Sequence, residues 1–124
     1  MPENGSAGTD TAAIELTDPE DVKLVTLARS ARARTQATEG AAVRDTDGRT
    51  YAASTVELPT LRLTAVQAAV AAAVSSGAEG LEAAVVVSDT PLLREACVSA
   101  VRDMSPDAVI FRADPSGTVR EDLR

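Results

Sequence analysis

Histidine is absent from the 124 residues. That removes the commonest metal ligand and the commonest general base near neutral pH. Aromatic residues are almost missing: Tyr51 and Phe111 stand alone, and there is no tryptophan. The core must therefore be assembled from alanine, valine and leucine. The single cysteine, Cys97, excludes an intrachain disulfide and fits a reducing compartment. No basic start leads into an apolar run, so a signal peptide is not expected and a cytoplasmic location is. The longest apolar stretch, Ala68 to Val74, is too short to span a bilayer, so no membrane role is expected. Lysine occurs once, at Lys23, and every other basic residue is arginine. With the abundance of alanine, this suggests a bacterial gene of high GC content.

The chain does carry an excess of acid, with a net charge of −7. Such a surface repels phosphate backbones and argues against nucleic acid as a partner. An apolar content of 44% is that of an ordinary globular protein, and the length allows one small domain. Residues 1–17 are rich in glycine, serine, threonine and alanine and read as a flexible N-terminal tail, leaving 18–124 as the domain.

Within the domain, Asp18-Pro19-Glu20-Asp21 is a helix start, with Asp18 as the cap and Pro19 at the first helical position. Arg29, Arg32 and Arg34 lie towards the other end, where cations are favoured, and read as a solvated face. Gly40 marks the stop or the turn beyond it. Ala41 to Val43 is a short strand, Asp45-Thr46-Asp47-Gly48 a hairpin turn, and Arg49 to Leu58 an alternating strand ended by Pro59. Thr64 to Ser76 is the clearest helix, opened by a Thr64/Gln67 capping box. Being apolar nearly all round, it should be buried nearly all round, which in so small a domain implies help from another subunit. Ala83 to Val87 is a buried strand. Asp89-Thr90-Pro91 opens a helix whose apolar face carries Leu92, Leu93, Ala96, Cys97, Ala100 and Val101. Asp107 to Phe111 is a strand, Pro115 to Gly117 a turn, and Thr118 to Leu123 a last strand or tail. A hairpin followed by strand–helix–strand crossovers implies a mixed α/β sheet with helices on its faces.

Several segments carry a family likeness in order and spacing. They are Leu27-Ala28-Arg29-Ser30-Ala31-Arg32, Gly40-Ala41-Ala42-Val43, Asp47-Gly48-Arg49-Thr50-Tyr51, and Val85-Val86-Val87-Ser88-Asp89-Thr90-Pro91. Together they resemble the cytidine deaminase family over roughly Asp21 to Val119. The resemblance implies a three-layer α/β fold: a mixed sheet of about five strands with helices on both faces. It also implies a dimer or tetramer with the Thr64–Ser76 helix near the centre.

The family's chemical motifs do not survive the alignment. Its N-x-E falls on Thr55-Val56-Glu57, its C-A-E on Thr64-Ala65-Val66, and its P-C-x-x-C on Leu93-Arg94-Glu95-Ala96-Cys97. The resemblance therefore puts Thr64, Arg94 and Cys97 at the zinc-ligand positions and Val66 at the catalytic glutamate position. Zinc deamination needs three protein ligands and a carboxylate to shuttle protons, and valine cannot move a proton. No zinc is expected. Glu57 matches the acidic position that holds the ribose, with Thr55 in place of its asparagine partner. Glu57 is either a remnant of that contact or an exposed strand-end carboxylate. Cys97 reads as a small buried hydrophobe before a remnant ligand, and Thr64 as a helix cap. Arg94 is open to anion binding, to pairing with Asp89 or Glu95, or to solvent.

The expectation is a non-catalytic cytidine deaminase-like protein. It would act through self-association or by binding a partner or a nucleoside-like metabolite in the vestigial pocket. The alternative is an active nucleoside-deaminating hydrolase whose missing groups come from another chain.

Overall fold

The computed structural model describes residues 12–91 and 93–124. Helix α1 spans Pro19–Thr35 and begins as its sequence requires, with the Asp18 carboxylate accepting from the Glu20 N–H at 2.9 Å. It ends earlier than Gly40, on Gln36 in the left-handed conformation (φ 53°). Gly40 serves a different purpose from the expected helix stop. A Cβ there would sit 2.1 Å from the Ala28 carbonyl oxygen, so only glycine lets β1 start against α1.

Strand β1 (Gly40–Asp45) pairs antiparallel with β2 (Thr50–Ser54) and with β5 (Leu81–Val87). Strand β5 runs parallel to β6 (Val109–Ala113), which pairs antiparallel with β7 (Val119–Leu123). The mixed five-stranded sheet has the order β2-β1-β5-β6-β7. Period-two alternation splits it into two cores. Ala42, Val85, Val87 and Phe111 face α1, with Leu24, Val25 and Ala28 against them. Ala41, Val43, Ala84, Val86 and Ile110 face helices α2 (Ala65–Ser75) and α3 (Glu95–Met104). The three-layer arrangement with helices on both faces is the one that the resemblance implies.

Both hairpins of the sheet use one turn design. Asp45 accepts from the N–H groups of Asp47 and Arg49, both at 2.9 Å, and Gly48 follows at φ 87°. Asp114 accepts from Ser116 and Thr118 at 3.0 and 3.2 Å, and Gly117 follows at φ 91°. An aspartate three residues before a glycine thus closes each loop through its own side chain.

Three expectations need correction. The strand expected over Arg49 to Leu58 breaks at Thr55. Beyond it, β3 (Val56–Glu57) leaves the main sheet and forms a two-stranded ribbon with β4 (Arg62–Leu63). The break coincides with a tertiary contact: the Thr55 hydroxyl accepts from the Glu39 N–H at 3.0 Å, holding the chain at the sheet's edge. Second, α3 does not open at Asp89-Thr90-Pro91. The Thr90 N–H is taken by Ser88 Oγ at 3.0 Å and the Leu93 N–H by Glu121 Oε1 at 3.1 Å, so the helix starts only at Glu95. Leu92, assigned to its apolar face, lies outside the described residues. Third, the strand expected over Asp107 to Phe111 sits two residues later. Residues 1–11 of the assigned tail are likewise outside the described residues. Within 12–17, the Ile14 N–H donates to the Val119 carbonyl at 2.8 Å. Among the described residues, no helix is long and apolar enough to cross a membrane.

Candidate functional site

The beginnings of α2 and α3 meet beside the start of β1, on the side of the sheet where β5 ends. Thr64 caps α2 as its sequence suggests. Its hydroxyl accepts from the Gln67 N–H at 3.0 Å, and the Gln67 side chain accepts from the Thr64 N–H at 2.9 Å. Arg94 stands at the cap position of α3 but makes no side-chain cap. Its guanidinium reaches across to Glu39 instead, with Nη2 2.7 Å from Oε1. Neither Asp89 nor Glu95 is its partner; Asp89 pairs with Arg32 at 3.5 Å.

Glu39 is the residue that sequence reading passed over. Its side chain is 3% exposed, whereas that of Arg94 is 47% exposed. A buried carboxylate is costly unless it is paired and hydrogen-bonded, and Arg94 supplies both. The hydrogen bond to Glu39, opposed by burial, raises the Arg94 pKa further above its ordinary value. The signal for Glu39 was its place directly before a fully buried strand. No spacing rule connects it to an arginine 55 residues away.

Cys97 lies one turn into α3 and is buried. Burial pushes its thiol pKa up, and the nearby charge of Glu39 adds to the rise. Thr64 and Arg94 beside it act in the opposite direction without overcoming burial. The three positions assigned to zinc ligands, Thr64, Arg94 and Cys97, are therefore neighbours in space. Their chemistry does not fit a zinc ion. One protonated thiol, one hydroxyl committed to a helix cap and one guanidinium offer no tetrahedral set of nitrogen or sulfur donors. Among the described residues, no three histidine, cysteine, aspartate or glutamate side chains cluster as a metal site. Val66, on the core-facing side of α2, is fully buried and has no proton to give or take.

A cavity of about 190 Å³ opens in front of these groups. Thr55, Glu57, Arg62, Thr64, Gln67 and Arg94 supply its polar walls. Glu57 is exposed at its rim, opposite Arg62 in the β3–β4 ribbon. Thr55 is largely committed to the backbone of Glu39, accepting from its N–H and donating to its carbonyl at 3.3 Å.

Residues 17–117 match the family described as cytidine deaminase-like. A search of curated proteins finds no significant match. Solved structures match closely in fold. The cytidine deaminase from Burkholderia pseudomallei superposes with a TM-score of 0.71 at 20% identity, covering 87% of this chain and 92% of that one. The cytidine deaminase from Mycobacterium leprae gives 0.62 at 23% identity, covering 78% and 88%. A mutant cytidine deaminase from Mycobacterium tuberculosis gives 0.63 at 22% identity, covering 86% and 92%.

Proposed function

Because the chain belongs to the cytidine deaminase-like family while its site carries a guanidinium among the ligand positions, we infer that it is a non-catalytic member. It binds no zinc and acts through self-association or by holding a small metabolite in the remaining cavity. The observation that carries this reading is the Arg94–Glu39 ion pair. It places a fixed protein cation where the resemblance would put a metal-binding thiolate. Like charges at contact distance oppose one another strongly in a partly desolvated site, so Arg94 and a bound zinc would exclude each other. The buried Val66 supports the same reading, because a proton shuttle would need a carboxylate at that point. Self-association is supported by α2, whose eleven residues carry no charge and leave Val74 53% exposed beside α3. A second copy of the same face would cover it, and size-exclusion chromatography with light scattering reads the outcome. Ligands supplied by another chain would still leave the Arg94 guanidinium beside the ion, and a second copy of this chain brings no histidine.

The deciding experiment uses protein purified without chelator. Bound zinc and cytidine turnover are measured on the same preparation. The expected result is substoichiometric zinc and no turnover above the uncatalysed rate. Stoichiometric zinc with turnover would sink the reading.

A further inference from the structure

We propose that the cavity beside Arg94 takes a small hydroxylated oxyanion, a sugar phosphate in size and chemistry, and not a nucleoside. The inference rests on the non-catalytic reading of this site and adds the class of its ligand. Arg94 commits Nη2 to Glu39, but a guanidinium presents five N–H donors in a fixed fork, and 47% of the side chain remains exposed at the cavity. Arg62 lines the same cavity from β4 and, among the described residues, forms no ion pair. Two guanidinium side chains lining one small cavity match a phosphate or carboxylate, whose oxygens accept from planar N–H pairs. The chain's overall negative charge acts weakly here, since separations beyond about 8 Å are screened at physiological ionic strength.

The carboxylates at the site narrow the ligand further. Glu39 is neutralised by Arg94. Glu57 also lines the cavity and would repel a bare anion. A ligand that carries hydroxyl groups meets Glu57 as a hydrogen-bond acceptor, and Thr64 and Gln67 lie on the same wall. The volume, about 190 Å³, is below the roughly 300–1,000 Å³ of a pocket for a drug-sized ligand. A cavity of that size suits a ligand of about the bulk of a pentose phosphate. A nucleobase also finds no aromatic ring to stack on. Phe111 is buried on the α1 side of the sheet and the Tyr51 hydroxyl is held by Asp45. Neither ring reaches the cavity wall.

The test is thermal denaturation of the full chain with graded ribose 5-phosphate, inorganic phosphate, ribose and cytidine. The expected result is a saturable rise in Tm with ribose 5-phosphate, a weaker one with inorganic phosphate, and none with ribose or cytidine. Arg62→Gln, on an exposed side chain, should leave the unliganded Tm unchanged and weaken ribose 5-phosphate at least tenfold. Glu57→Gln should weaken ribose 5-phosphate while sparing or improving inorganic phosphate. Absence of a saturable shift, a shift fully retained in Arg62→Gln, or an equal response to cytidine would overturn the proposal. Zinc content and cytidine turnover of the same preparation separate this failure from failure of the non-catalytic reading. A zinc-free, inactive protein that ignores ribose 5-phosphate overturns only the ligand class.

Discussion

Arg94 Nη2 lies 2.7 Å from Glu39 Oε1, yet one side chain is 47% exposed and the other 3%. The asymmetry decides which partner depends on the other. Without Arg94, a carboxylate is left beneath the sheet's edge with no cation. Without Glu39, a guanidinium is left that water can reach. Arg94→Gln should therefore lower stability by about 1–3 kcal/mol. That is below the figure for a fully buried pair, because solvent screens the outer half of this one. Glu39→Gln should cost less, and the double variant should recover part of the Arg94→Gln loss. Urea unfolding of the four proteins closes the cycle. Strictly additive losses would mean that the two side chains do not support one another.

The two hairpin aspartates set the response to acid. Burial pushes the Asp45 pKa up, but hydrogen bonds from the Tyr51 hydroxyl and the Arg49 and Asp47 N–H groups outweigh it. The carboxyl titrates below its ordinary 3.8. For Asp114, burial again raises the pKa, and Ser116, Arg120 and the Thr118 N–H bring it below 3.8. A carboxyl with a lowered folded pKa contributes stability that is present above its unfolded pKa. That stability is lost as the pH falls through the folded one. Stability should hold from pH 7 to about 5 and decline below about 4. Asp45→Asn should be the less stable protein at pH 7, with the gap to wild type closing towards about pH 2. The sole tyrosine gives a direct readout. Its hydrogen bond to Asp45 raises the Tyr51 pKa above 10.0. Absorbance titration should show that pKa fall in Asp45→Asn. A Tyr51 titration identical in both proteins would show that the bond is not formed in solution.

How far the sequence reaches can be judged at particular residues. Thr64 and Gln67 are legible because a capping box is written within four consecutive residues and needs no distant partner. The sheet is legible because the alternation that begins at Arg49 marks β2 and the apolar run Ala83 to Val87 marks β5, neither needing a distant partner. The break at Thr55 is not, because it depends on the backbone of Glu39, sixteen residues earlier. The delayed start of α3 is not, because Glu121 from the last strand takes the Leu93 N–H. Arg94 shows both sides of the limit. Its departure from the family pattern stands out in the sequence, while its partner belongs to tertiary structure. Local hydrogen bonds are readable one residue at a time; ion pairs across 55 residues are not.

The convergence of Thr64, Arg94 and Cys97 can be tested by putting donors back. Thr64→Cys with Arg94→Cys would set three thiols, including Cys97, at the starts of α2 and α3. Zinc accepts thiolates at about 2.3 Å and lowers their pKa on binding, which offsets the burial that holds Cys97 protonated. The ion would also stand in for the guanidinium as the cation beside Glu39. Without metal, the variant loses both the helix cap and the Arg94–Glu39 pair, so it should unfold well below wild type. With zinc, its Tm should rise, and chelator should reverse the gain. The wild-type Tm should respond to neither. Because Val66 remains in the core, the zinc-loaded variant should still fail to convert cytidine. Metal analysis, melting curves with and without zinc, and a deamination assay on one preparation give all three readings. A variant that binds no zinc would place the three side chains too far apart to share an ion.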